Sequence, residues 1–300
     1  MFSMVLNDLK TKDQIICGSA DLATSCLNRF DDYVNFSSSN RIGNYINFGI
    51  REHSMFGIAN GISAHGYFIP IFSTFLNFVS YGFPSVRLGA FGKLNNVYVL
   101  THDSIALGED GPTHQPIEVL LTLRSTPNLY VMRPCDMREC RAALKACFLL
   151  TGPKAIILTR QKVSPIKDTS EKNCLKGAYY LQEHENPDFI LLGTGSEIEL
   201  CYKIIEVWKE KRISLVSFFS WELFEKQNDE YKKLILKPNV CKISIEASTT
   251  FGWHKYSDLQ IGIDRFGWSG KSNEVYKAAG FSSDKIIEKI KIFLEKIKFY

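Results

Sequence analysis

The run Asn96-Val-Tyr-Val-Leu-Thr101 fits a strand buried on both faces of a sheet, bounded by Asn and Gly residues. Leu129–Met132 and Ala155–Leu158 repeat the pattern, and Gln115–Leu123 and Asp136–Leu150 between them carry helical spacing. Strands alternating with helices imply an α/β fold, a mostly parallel sheet covered by helices on both faces. Upstream, residues 2–9 read as a short amphipathic helix, and Gln14–Cys17 and Asn44–Phe48 read as strands. Glu52–Gly66 reads as a helix with Met55, Ile58, Ala59 and Ile62 on one face; Tyr67–Phe72 is an apolar run, and Phe75–Leu88 returns to helical spacing. The polar segment Lys162–Asn173 contains Pro165 and lacks apolar periodicity, which places a domain boundary there. Two such domains are expected, residues 1–163 and 174–300. In the second, Phe189–Leu192, Ile213–Phe218 and Val240–Ile245 read as strands. Gly193-Thr-Gly195 opens a helix to about Lys209, more simply a tight strand-to-helix turn than a nucleotide loop. Ser283–Ile297 reads as a terminal helix with Ile286, Ile287, Ile290, Phe293 and Leu294 on one stripe.

Composition removes several function classes. Three hundred residues, 45% hydrophobic and 23% charged, suit two soluble globular domains. The net charge of +4 is spread along the chain, so neither a nucleic-acid stripe nor a membrane-binding polybasic segment stands out. No apolar run approaches the roughly 20 residues that span a bilayer, and Met1–Lys12 is too short and polar for a signal peptide. The eight cysteines form no CxxC pair and no Cys/His cluster, which argues against zinc and against a disulfide framework. They read as reduced, half-buried thiols of a cytoplasmic protein, with Cys17, Cys147 and Cys201 in apolar runs.

Three stretches carry candidate chemistry. Gly49-Ile-Arg-Glu-His53 puts Glu52 at a strand-to-helix junction, where α/β folds expose reactive groups. The alternative is a first-turn acid that only favours the helix dipole. The Thr101–His114 loop packs two histidines and three carboxylates beyond a strand's carboxyl end. Such a loop can bond hydroxyls and shuttle protons near neutral pH; the alternative is a solvated loop turning at Gly111-Pro112. Phe75, Phe78 and Tyr81 recur every three residues and share one face if the stretch is helical. That face can clamp a flat heterocycle or simply enter the core.

Together with Gly18-Ser-Ala-Asp-Leu22, Thr74-Phe-Leu-Asn-Phe78, Arg133-Pro134 and Thr159-Arg-Gln161, these stretches resemble in order and spacing the C-terminal half of transketolase. That family of thiamine-diphosphate enzymes serves sugar metabolism in the pentose phosphate pathway. The resemblance runs through nearly the whole chain, and the His102–Pro116 run is its most specific part. It implies a pyrimidine-binding domain followed by a transketolase C-terminal-type domain, and transfer of a two-carbon ketol unit between phosphorylated sugars. It implies that Glu52 hydrogen-bonds the pyrimidine nitrogen of thiamine diphosphate and so favours the tautomer that deprotonates the thiazolium. By the same likeness Phe75, Phe78 and Tyr81 surround the pyrimidine, and Asp21 lies near the cofactor pocket. His102 and His114 would contact sugar hydroxyls as catalytic groups, Asp110 another hydroxyl, and Ser25 and Arg160 the sugar phosphate. Phe56, Phe75, Phe78 and Tyr81 would border an apolar face covered by a diphosphate-binding domain.

The departures matter as much. No Gly-Asp-Gly occurs here, so the family's diphosphate and Mg²⁺ half is missing. Phe72-Ser73 replaces two glycines common in the family and predicts a narrower approach to the pyrimidine pocket. Gly270 replaces a proline after the Phe-Gly-x-Ser run, which is expected to affect local turn geometry and little chemistry. The leading expectation is the pyrimidine-domain subunit of a split transketolase, with the Met1 start near a domain edge. It would act in a homo- or hetero-oligomer with a separate N-terminal, diphosphate-binding chain that holds Mg²⁺. The alternatives are ketol transfer to an unusual acceptor by the same two-chain logic, a non-catalytic assembly partner, and a truncated gene.

Overall fold

Strands β1 (Ile15–Ser19), β2 (Tyr45–Asn47), β3 (Ile69–Phe75), β4 (Val97–Thr101), β5 (Tyr130–Met132) and β6 (Lys154–Leu158) form an all-parallel sheet in the order β2-β1-β3-β4-β6-β5. The computed structural model describes residues 2–9 and 12–297. Met1 and the last three residues of the expected 174–300 domain therefore lie outside the described residues. Successive side chains of a strand face opposite sides, and the sheet sorts its apolar residues accordingly. Ile71, Val97, Val99 and Ile156 join the layer beneath α1 (Phe2–Asn7) and α6 (Met137–Leu149). Phe72, Tyr98, Leu100 and Ile157 join the layer beneath α3 (Glu52–His65) and α4 (Val79–Phe91). Two short helices, α2 (Ala23–Cys26) and α5 (Val119–Arg124), complete this domain.

Helix α3 positions the site. It ends at Gly66, whose φ of 88° is the left-handed cap that glycine adopts freely. Its buried residues are Glu52, Met55, Phe56 and Ala59, the i, i+3, i+4, i+7 face, so Glu52 shares the stripe that meets the core. Ile58, expected on that face, is exposed. Helix α4 crosses closely because residue 82 is glycine; a methyl group there would overlap the Phe56 ring and the Glu52 backbone. The expected Gln115–Leu123 helix begins only at Val119. The preceding Gln115 side chain is instead bonded to the backbone of Leu107 and Trp268.

The second sheet has the order β11-β10-β8-β9-β7. It comprises β7 (Tyr179–Gln182), β8 (Phe189–Gly193), β9 (Ile213–Ser217), β10 (Lys242–Ile245) and β11 (Leu259–Ile261), all parallel except β7, which runs antiparallel to β9. Helix α7 (Glu171–Cys174) leads into it. Its other helices are α8 (Glu197–Val207), α9 (Trp221–Glu225), α10 (Asp229–Leu236), α11 (Ser272–Ala278) and α12 (Ser283–Ile297). Ile286, Ile287 and Ile290 of α12 are buried, as their stripe predicts.

Buried polar groups join the two sheets. Arg133, just past β5, donates from Nε to Asp103 at 2.9 Å and from Nη1 to Glu197, to Glu246 at 3.3 Å and to the Thr194 carbonyl at 3.2 Å. Burial opposes its charge, but Glu197, Asp103 and Glu246 outweigh burial and hold the guanidinium above its usual range. Arg124 pairs with Glu246 at 2.6 Å and lies over the Trp221 ring. Glu139 of the first domain accepts from Tyr179 at 2.7 Å and Ser217 at 2.6 Å of the second. The eight cysteines are all free; seven are fully buried, more than the half-burial expected, and Cys241 is partly exposed.

Candidate active site

The carboxyl ends of β1 and β2 and the first turn of α3 open onto a cleft of about 630 Å³. Its wall includes Asp21, Leu22, Ile50, Arg51, Glu52, His53, Phe78, Tyr81 and His114. Glu52 is the first residue of α3 and is buried, and its Oε1 accepts from Thr74 Oγ1 at 3.4 Å. It therefore presents a carboxyl to the cleft with a single long hydrogen bond to the protein. The preceding residue, Arg51, has non-helical backbone angles and turns its guanidinium to the Phe48 carbonyl at 2.8 Å. Asp21 follows β1 with φ of 62°, the left-handed region that non-glycine residues adopt at a cost.

The three aromatic residues do form a row, but not on one helix. Phe75 ends β3, Phe78 closes a 3₁₀ turn (Leu76–Phe78), and Tyr81 is in α4. A 3₁₀ turn has three residues per turn and eclipses i with i+3. Phe75 and Phe78 accordingly stack at 5.6 Å, and Phe78 and Tyr81 lie 6.0 Å apart. Phe78 and Tyr81 reach the cleft, while Phe75 is buried behind them. Phe56 is fully buried in the core, so it borders no exposed face; Ile50, 80% exposed, stands at the rim instead. Phe72 and Ser73 do not line the cleft. Phe72 packs edge-on against Phe48 and Ser73 donates to Asn28 at 2.7 Å, so the expected narrowing does not arise from their side chains.

His102 follows β4 with φ of 60° and stacks on Phe75 at 3.7 Å between centroids. Its Nδ1 lies 2.8 Å from Thr101 Oγ1, which in turn lies 3.3 Å from Cys26 Sγ. Burial, and then the Arg160 charge, push the imidazole down to about 4. His102 is therefore a neutral hydrogen-bonding group at neutral pH. His114 lies edge-on to Phe78 at 5.0 Å, with Nδ1 3.0 Å from Thr113 Oγ1.

Asp110 and Arg160 share a second, smaller cavity of about 190 Å³ with Ala106–Glu109 and Ser272. Ser25 is exposed on α2, one turn beyond Asp21, and lines neither cavity. The structure thus gathers Asp21, Glu52, Phe78, Tyr81 and His114 around one cleft, sets His102 and Phe75 behind it, and places Asp110 and Arg160 in a neighbouring one. Thr74, Arg51 and Ile50 lie at or beside the carboxyl without a role foreseen from sequence. Their adjacency to Glu52 and Phe75 in the quoted motifs was the available signal.

Residues 1–165 match the transketolase pyrimidine binding domain, and residues 177–282 match the transketolase-like TK C-terminal domain. The chain is 42% identical over 290 residues to the chloroplastic transketolase of Zea mays, covering 93% of this chain and 43% of the relative. A solved transketolase from Pichia stipitis, in complex with sedoheptulose-7-phosphate, superposes with a TM-score of 0.93 at 40% identity, covering 95% of this chain and 44% of that one. A structure described as a split gene transketolase, inactive β4 tetramer, shares the fold at a TM-score of 0.80 and 20% identity, covering 98% of this chain and 97% of that one. The chain thus spans less than half the length of the curated relative it matches.

Proposed function

We infer function from one premise: the chain belongs to the transketolase family. We propose that it supplies the pyrimidine half of a thiamine diphosphate site. With a separate chain that carries the diphosphate half and Mg²⁺, it transfers a two-carbon ketol unit between phosphorylated sugars. The observation that carries this reading is the buried Glu52 carboxyl, facing a cleft of about 630 Å³ whose wall includes Phe78 and Tyr81. Residues of this kind fit a flat aminopyrimidine: rings to stack on and one acid to bond a ring nitrogen. The 300 residues contain no Gly-Asp-Gly for the diphosphate end, so that end is assigned to the partner. The low identity to the split-gene chain carries fold alone, and the two-chain arrangement rests on this incomplete cofactor site.

The cofactor, when bound, supplies a nucleophilic thiazolium carbon. Glu52 would bond the pyrimidine nitrogen and share a proton with it. Phe78 and Tyr81 would stack on the ring, with Phe75 packed behind Phe78. Asp21, on the cleft wall, would border the ring. His102, neutral and held at Nδ1 by Thr101, offers its other nitrogen to a substrate hydroxyl, and His114 and Asp110 meet further hydroxyls. Arg160, in the smaller cavity, would hold the phosphate. Residues 1–163 form the pyrimidine domain and 174–300 the C-terminal domain of a cytoplasmic hetero-oligomer. Among the described residues, no helix is long and apolar enough to cross a membrane.

Titration calorimetry with thiamine diphosphate and Mg²⁺ tests the division of labour. Weak or no binding is expected for the chain alone, and binding is expected once a diphosphate-half chain is added. Micromolar binding by the chain alone would overturn it.

A further inference from the structure

The segment 265–272 of the second domain lies directly on the loop that carries His102, Asp110 and His114. Gly270 N donates to the Gly108 carbonyl at 3.1 Å, and the same carbonyl accepts from Gly111 N at 3.2 Å. Gln115, buried, donates from Nε2 to Leu107 O at 3.0 Å and to Trp268 O at 2.9 Å, one amide bridging the two segments. Ser104 Oγ meets Tyr276 OH of α11 at 3.1 Å. The surfaces leave no slack: a methyl group on Gly108 would overlap the Gly270 carbonyl, and one on Gly267 would overlap the Gln115 amide. Gly108 to Asp110 form one side of the 190 Å³ cavity, and Ser272 closes it from the second domain. Proline has no N–H. The bond to Gly108 therefore exists because residue 270 is not the proline expected from the family.

We propose that segment 265–272 is a clamp through which the second domain positions the substrate loop, with Gly270 as a positioning residue through its N–H···O=C bond to Gly108. Gly108 O terminates two bonds, one from within its own loop and one from the other domain, so the turn that presents Asp110 is set from outside the loop. Small displacements of substrate-positioning groups cost rate or affinity steeply. The identity of the substrate rests on the transketolase reading; the clamp itself does not.

The test compares Gly270→Pro with Gly270→Ala in the assembled enzyme. An alanine methyl at 270 meets only Val275 at 3.6 Å and Glu274 at 3.7 Å and keeps the N–H, so Gly270→Ala is the control. Gly270→Pro is expected to speed amide hydrogen exchange across residues 106–114 by about tenfold, the scale of one lost hydrogen bond. It should raise KM for a phosphorylated ketose by a similar factor, with hydrogen–deuterium exchange at the cofactor's C2 unchanged. Gln115→Met, which removes the other bridge at similar volume, should act in the same direction if the proline variant does not fold. Native exchange in the variants that fold, equal effects of alanine and proline, or faster exchange with unchanged KM would each overturn the proposal. If the chain proves to have no transketolase activity, the exchange comparison still decides the clamp.

Discussion

Glu52 and Arg133 are both buried ionisable groups set just beyond strands of the same sheet, and their surroundings are opposite. Arg133 bonds three carboxylates and a carbonyl contributed by both domains. Glu52 has one hydrogen bond, 3.4 Å long, and an open cleft. A buried charge must be paired or pay heavily in desolvation. Three carboxylate partners from both domains mark Arg133 as a group that holds the fold, while the sparse partnering of Glu52 leaves its carboxyl available to a ligand.

The sharpest way to break this comparison is Glu52→Gln in the assembled enzyme. Turnover and cofactor C2 hydrogen–deuterium exchange should fall by about 10²–10⁴, with the melting temperature little changed. Unchanged C2 exchange with lowered stability would make Glu52 a structural first-turn acid like any other. Arg133→Met should do the reverse. Leaving Asp103 and Glu197 without a guanidinium, while Glu246 keeps Arg124, should cost about 3–5 kcal/mol in a urea melt. A loss below about 1 kcal/mol would show that the cluster is not what fastens the domains. Arg160→Ala probes the second cavity: phosphorylated sugars should bind about ten- to hundredfold more weakly and unphosphorylated ones equally well. Equal losses on both would remove Arg160 from the phosphate site.

The smallest effect concerns His102, whose imidazole should titrate near 4 by NMR. Burial is the main cause and the Arg160 charge the next, so Arg160→Ala should move the titration upward. The sign for stability follows. Between about 4 and the ordinary 6.5 the unfolded chain binds the proton that the folded chain refuses, so this contribution is present above 6.5 and lost as pH falls toward 4. A wild-type titration near 6.5 would mean that the ring is solvated rather than pressed on Phe75.

Much of the fold was legible in the sequence because local signals agreed with tertiary ones. Helix α3 ends where Gly66 can adopt its left-handed cap, and β4, apolar from Val97 to Leu100 apart from the Tyr98 hydroxyl, is buried throughout because both faces are covered. The aromatic row was legible as a spacing of three but not as a path. Pairing of β3 with β4 keeps Phe75 in the sheet, where helical periodicity gives no hint of it. Strands β7 and β11 are short edges and left little pattern. In the candidate site, the motif residues were visible, but the separation of Asp110 and Arg160 from the Glu52 cleft was not. Nor was the Arg133 cluster, since its partners Glu197 and Glu246 lie 64 and 113 residues away in sequence. Such contacts are decided by how two sheets dock.

The buried thiols turn the chain into its own clock. Alkylation requires a thiolate that a reagent can reach, and burial pushes Cys140 and Cys147 up to about 12 and raises Cys17 and Cys201 as well. In the native chain such a cysteine reacts only when its own segment opens. Cys17 reports on the first sheet, Cys140 and Cys147 on α6, and Cys201 on α8, so the order of modification reads out which layer breathes first, without any introduced probe.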